Sequence, residues 1–172
     1  EAILNRVCES ILRPLPTSGL SLNPEQALSS QLYHLLIGEY LASRLQCTFT
    51  CIPNELPIPG FTEQLRKMAA MLGLKRRAMG GIPGAADWVF IWEGGGGWIE
   101  LKTPGGQKVM RTVPRKAGPK LHPVKVPPGR LSPSQVTFGR WCETTGSNYA
   151  VCHDGQEAID ILRTWGALAA KP

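Results

Sequence analysis

No apolar run in this sequence approaches the roughly 20 residues that a bilayer-spanning helix needs, although hydrophobic residues make up 42% of its 172 positions. No membrane segment is therefore expected. The stretch from Glu1 to Leu12 carries acids and lacks the basic start and apolar core of a secretory signal, which points to a cytoplasmic protein. CxxC pairs are also missing. The five cysteines, Cys8, Cys47, Cys51, Cys142 and Cys152, are odd in number, which argues against a disulfide framework or a zinc ribbon. Cys47 and Cys51 lie four apart, with no histidine or second pair to complete a metal site. No internal repeat suggests a solenoid. No aromatic RNP pattern or KH-type loop marks a known RNA-binding module. No organic cofactor is expected.

The sequence does have an excess of positive charge. Nineteen Lys and Arg against thirteen Asp and Glu give +6, a balance that suits polyanionic partners. The distribution is sharper than the total. From Lys102 to Arg130 run Lys102, Lys108, Arg111, Arg115, Lys116, Lys120, Lys125 and Arg130 without one acid. This stretch is rich in Pro and Gly, and reads as an extended basic loop able to lie along phosphates. Lys75, Arg76 and Arg77 form a second basic cluster assigned to the same DNA-binding surface.

The length suits one domain, residues 1–172, with residues 1–22 as an N-terminal extension and residues 103–130 as an insertion. Asn23, Pro24 and Gln26 fit N-cap, N1 and N3 of a helix over residues 24–45, with Leu28, Leu32, Leu35 and Leu36 at helical spacing. A short strand begins at Thr48. Thr62 caps a second helix with stripe Leu65, Met68, Ala69 and Leu72, closed by Gly73. Residues 88–92 form a buried strand, residues 94–97 reverse the chain, and residues 98–102 return as its antiparallel partner. Ser132, Pro133 and Gln135 open another helix, with Phe138, Trp141 and Cys142 on one face. Residues 149–152 are a strand, and Asp154 caps a last helix carrying Ala158, Ile161, Leu162 and Trp165. The pattern predicts an α/β fold: a central mixed sheet flanked by helices.

Alternation along the returning strand puts Glu100 and Lys102 on one face, about 7 Å apart, with Ile99 and Leu101 on the other. Folding the hairpin brings Asp87 towards the Lys102 end. Two converging carboxylates repel unless a cation sits between them, and hard oxygen ligands suit Mg²⁺ or Mn²⁺. Held by Asp87, Glu100 and the Leu101 carbonyl, such an ion would polarise a phosphodiester and activate a water. Lys102 would orient that water or stabilise charge on the phosphate. The bland reading is a solvent-facing Glu–Lys pair on a half-buried strand, which contributes little.

Several segments together resemble the VRR-NUC family of the PD-(D/E)XK superfamily. They are Gly81-Ile82-Pro83 ahead of Asp87, Ile99-Glu100-Leu101-Lys102, and Leu131-Ser132-Pro133-Ser134-Gln135. The likeness extends to Ile52-Pro53-Asn54, Met79-Gly80, residues 149–152 and Glu157-Ala158-Ile159, so it covers about residues 25–165 and looks like the small stand-alone phage and bacterial members. It implies a restriction-endonuclease-like core and a Mg²⁺- or Mn²⁺-dependent DNA endonuclease. Such an enzyme would act on branched DNA, such as four-way junctions or flaps, often as a homodimer, in a bacterial or phage-infected cell. By position, Asp87 and Glu100 would be metal ligands and Lys102 the catalytic lysine. Gln135 would position the water or the phosphate, although N3 of a capping box also accounts for it. Glu25 matches the family's first-helix glutamate, with Glu39 on the same face as the alternative. The spacing Pro83-Gly84-Ala85-Ala86-Asp87 is longer than the family's Pro-Asp, and the insertion replaces a connection of a few residues. A non-catalytic junction-binding module and a basic RNA-binding protein are the other readings.

Overall fold

The computed structural model describes residues 24–52, 63–78, 80–106, 108–113, 120–125 and 127–170. The N-terminal extension, Asn23, Pro53-Asn54, Thr62, Met79, Arg115 and Lys116 lie outside the described residues. So do the side chains of Leu65, Met68, Ala69, Arg76, Lys108, Arg111, Lys120 and Lys125.

The elements run α1 (Pro24–Leu41), β1 (Cys47–Cys51), α2 (Glu63–Ala78), β2 (Trp88–Trp92), β3 (Gly95–Leu101), β4 (Lys108–Val113), β5 (Lys120–Lys125), α3 (Pro133–Thr144), β6 (Asn148–Cys152) and α4 (Gly155–Thr164). Strands β1, β2, β3 and β6 make a mixed sheet in that order, antiparallel except for the parallel β3–β6 pair. Helices α1 and α4 pack against each other and one face of this sheet, and α3 lies against the other. Among the described residues, no helix is long and apolar enough to cross a membrane.

The first core follows from helical spacing. Leu28, Leu32 and Leu36 recur every four residues, so one stripe of α1 meets Trp88, Phe90, Ile99 and Leu101 from the sheet and Ala158, Ile159 and Leu162 from α4. Each fully buried leucine or isoleucine here contributes about 1.5–3 kcal/mol. The second core is smaller. Phe138 and Cys142 of α3 close over Ala85 and Ala86, with Trp98 and Tyr149 at its edge. Trp141, expected on the same face, is 49% exposed and touches Phe138 edge-on instead.

Several boundaries differ from those the sequence predicts. Helix α1 stops at Leu41 rather than residue 45, because the chain turns through Ser43 at φ 55° to reach β1. Helix α2 continues through Gly73 to Ala78, so Lys75, Arg76 and Arg77 occupy its last turns, where cations complement the helix dipole. Leu72 of its expected apolar stripe is 37% exposed, less than Met71 and Leu74 beside it. The reversal after β2 takes only Glu93 and Gly94, since Trp92 pairs with Gly95, and the glycines after it are strand. This even shift in pairing keeps every side chain on its predicted face. The insertion is not simply a loop. Strands β4 and β5 pair antiparallel from Lys108↔Lys125 to Val113↔Lys120, forming a second, two-stranded sheet.

Gly84 ties the turn before Asp87 to α3. Its φ is +78°, and a Cβ there would lie 2.3 Å from the Ser134 carbonyl carbon. Gly84→Ala is therefore expected to lower stability by about 2 kcal/mol or more, read by urea unfolding; an unchanged midpoint would show that this turn is free to move away.

Candidate functional site

The β2–β3 register, Trp88 opposite Ile99, carries on to set Asp87 opposite Glu100, not at the Lys102 end as the longer predicted turn implied. The two acids are thereby brought closer than expected. Asp87 is fixed on both sides: its Oδ2 accepts from the Leu101 N–H at 2.9 Å, and its carbonyl accepts from the Ile52 N–H at 2.6 Å. Lys102 lies just beyond β3 but stays in line, since its N–H donates to the Cys152 carbonyl at 2.9 Å.

Glu100 is 0% exposed and Lys102 7%, so the surface-pair reading fails. Lys102 Nζ lies 2.7 Å from Glu100 Oε1 and 3.8 Å from Glu25 Oε1. Gln135 Nε2 donates to the same Glu100 oxygen, while Gln135 Oε1 accepts from the Ser132 N–H at 2.8 Å. The expected capping box is present, with Ser132 Oγ accepting from the Gln135 N–H. Capping and site roles thus coexist in one side chain: its oxygen serves the helix, and its nitrogen holds Glu100.

Of the two candidate helix acids, Glu25 stands beside Lys102 and Glu39 does not. Glu39 lies 14 residues, about 21 Å, further along the helix. It is buried there between Arg44 Nε at 2.7 Å and Arg163 Nη2 at 2.6 Å, holding α1 to α4.

These groups line or underlie a cleft of about 700 Å³, with Glu25, Arg77, Asp87, Leu101, Lys102 and Gln135 on its walls. Residues 80–85 form one side. Glu100 sits beneath, roofed by Lys102 and Gln135. Lys75 and Arg130 are exposed, and Arg77 reaches the cleft itself from the end of α2. Sequence reading missed two contributors. Gly129 packs against the Lys102 stem, and Cys51 stands on the cleft wall. Neither has a local signal, because each meets the site through a partner at least 22 residues away.

Among the described residues, no three His, Cys, Asp or Glu side chains are grouped closely enough to hold an ion by themselves. A cation here would need main-chain oxygen, water or phosphate to complete its shell, which is how Mg²⁺ is commonly held. The donor set fits that description. Glu100 Oε2 is fully buried and has no hydrogen-bond partner, leaving one anionic oxygen uncommitted beside Asp87. Burial pushes the Glu100 carboxyl up to about 7; the Lys102 hydrogen bond opposes this, and the Asp87 charge adds to it. Burial pulls the Lys102 ammonium down, but Glu100, Glu25 and Asp87 outweigh it and hold it above its ordinary value.

Comparison with protein-family models, curated proteins and solved structures finds no match to this chain.

A carboxyl with a raised pKa in the folded state stabilises the fold below its unfolded value and loses that contribution as pH rises through the folded one. For Glu100 the window runs from 4.5 to about 7. Without divalent ions, the wild type is expected to lose about 3 kcal/mol more stability across this window than Glu100→Gln. Urea unfolding at each pH measures it, and parallel curves for the two proteins would contradict the assignment.

Proposed function

We propose that this chain is a Mg²⁺- or Mn²⁺-dependent endodeoxyribonuclease with a restriction-endonuclease-like core. It hydrolyses phosphodiester bonds in branched or structured DNA, such as junctions or flaps, as a homodimer in the cytoplasm of a bacterial or phage-infected cell. The observation that carries the reading is the convergence of Asp87, Glu100 and Lys102 around a buried carboxylate oxygen with no partner, under a cleft that Arg77 also lines. The resemblance of the segments around Asp87, Glu100–Lys102 and Ser132–Gln135 to VRR-NUC sequences agrees with it, and it rests on the same residues.

Asp87 and Glu100, with the Leu101 carbonyl, would hold the ion. When bound, a divalent cation supplies Lewis acidity towards the phosphate and a water nucleophile at neutral pH. Lys102 Nζ donates hydrogen bonds to a non-bridging phosphate oxygen, where negative charge grows in the transition state. Gln135, fixed through its oxygen to the start of α3, presents its N–H to the acid or to the attacking water. Glu25 acts on Lys102 across 3.8 Å. Lys75, Arg76, Arg77 and Arg130, with the basic residues at 108–125, contact the DNA backbone, where each neutralised phosphate contributes to affinity and to its salt dependence.

End-labelled four-way junction, flap and duplex DNA, incubated with the protein in Mg²⁺ or Mn²⁺, provide the test. Metal-dependent cutting is expected, and Asp87→Ala should reduce it by more than about 100-fold, the upper end of the cost of losing an outer-shell partner. Tight binding to junctions without cutting would favour a non-catalytic junction-binding module, and preference for RNA would favour the RNA-binding reading. A second measurement concerns the arm. Removing residues 109–125 is expected to weaken DNA binding and to flatten its dependence on salt by about 0.9 for each phosphate no longer neutralised. Unchanged affinity and slope would exclude the arm from the interface.

A further inference from the structure

Glu100 Oε1 already receives two donors, Lys102 Nζ and Gln135 Nε2, and the carboxylate has no exposure to solvent. A buried anion cannot borrow a counter-charge from water, so the lysine ammonium serves as its cation. That same ammonium is 3.8 Å from Glu25 Oε1, whose side chain is 38% exposed at the cleft wall. A shift of about 1 Å at the tip of the lysine would bring it to hydrogen-bonding distance of Glu25, since charge-assisted N–H···O contacts run at about 2.7–2.9 Å.

The root of the side chain is held differently from its tip. A Cβ on Gly129 would lie 3.2 Å from both Cβ and Cδ of Lys102, so backbone closes on the stem. That backbone is pinned in turn by the Gly129 N–H donating to the Thr103 carbonyl at 2.9 Å. Motion is left to the terminal atoms, between one buried acid and one half-buried acid at the cleft wall.

From this geometry we propose that Lys102 is an exchangeable internal cation: it neutralises Glu100 in the metal-free protein and moves to Glu25 when a divalent ion takes Glu100. The inference rests on the metal-dependent reading above and deepens it by giving Glu25 a positioning role. Glu25 receives the displaced lysine, keeps it beside the cleft and does not ligate the ion. The lysine arrives at the substrate side of the site only when the ion is in place. Two positive charges therefore do not compete for one carboxylate during turnover.

Mn²⁺ binding to the full chain without DNA, followed by calorimetry and by the electron paramagnetic resonance of free Mn²⁺, tests the exchange without reference to cleavage. Lys102→Met keeps the stem against Gly129 and removes the charge. It should tighten Mn²⁺ binding by about tenfold or more, as expected for the loss of an adjacent like charge in a partly buried site. Arg77→Ala, which removes a charge from the same cleft without touching Glu100, sets the scale of simple repulsion and should have a smaller effect. Glu25→Gln should weaken Mn²⁺ binding in the Lys102 protein by at least about threefold more than in the Lys102→Met protein, because only the former has a lysine to receive. Thermal unfolding of each variant identifies any that fail to fold, and Lys102→Gln then replaces Lys102→Met. Equal losses from Glu25→Gln in both backgrounds would make Glu25 a direct ligand or a distant charge and overturn the exchange. So would Lys102→Met binding no tighter than Arg77→Ala. Absence of Mn²⁺ binding in every variant would instead overturn the metal-dependent reading on which the exchange depends.

Discussion

A carboxylate without solvent contact in the middle of a sheet dictates much of what surrounds it. Glu100 is such a group, and an unpaired charge at that depth would cost several kcal/mol. Lys102 answers the charge from the same strand face, and Gln135 answers it from the adjoining helix. For Gln135 to reach, α3 must start where it does, with its N-terminal turn fixed by Ser132 and pressed against the turn at Gly84. That turn in turn delivers Asp87. One buried charge thus links the hairpin, the third helix and the loop between α2 and β2.

Such a cluster is a poor way to stabilise a protein. Replacing a buried ion pair by apolar residues of similar volume is often neutral or stabilising, and here one oxygen of the acid has no partner at all. By contrast, the Glu39 pair with Arg44 and Arg163 has both carboxylate oxygens engaged and ties two helices together. Each cluster keeps one buried polar atom without a partner, Glu100 Oε2 in the first and Arg163 Nε in the second, but only in the first is that atom an acid's oxygen under the cleft that Asp87 and Lys102 line. The difference separates a candidate site from a brace, although both clusters hold a buried acid and include a residue of α1.

The central elements were legible because their signals are local. Alternation along residues 98–102 placed Glu100 and Lys102 together, the Ser132–Gln135 spacing located the start of α3, and leucines every four residues identified the buried face of α1. Features set by geometry rather than residue type were less so. Four consecutive glycines looked like the turn itself, yet only Gly94 belongs to it, because a two-residue connection satisfies the twist of the hairpin and the others can extend as strand. Gly73 looked like a helix end, but one glycine costs only about 1 kcal/mol against alanine, too little to stop α2. The arm was legible as charge but not as strands, since β4 and β5 include a proline and lack regular alternation. Which of Glu25 and Glu39 joins the site was open for a similar reason: their spacing is the same face of one helix, and only the tertiary position of the arginines decides.

The Thr103–Gly129 hydrogen bond has a consequence for how the chain could diversify. The inserted segment leaves and re-enters the core at one point, so the distance its ends must span is fixed whatever lies between them. Closing a longer or shorter excursion over the same gap changes the entropy only logarithmically, about 0.6 kcal/mol for each doubling of length. The arm is therefore a graftable unit: a chain of this fold could lengthen it, replace it or dispense with it, and so acquire new partners while keeping the same cleft unchanged.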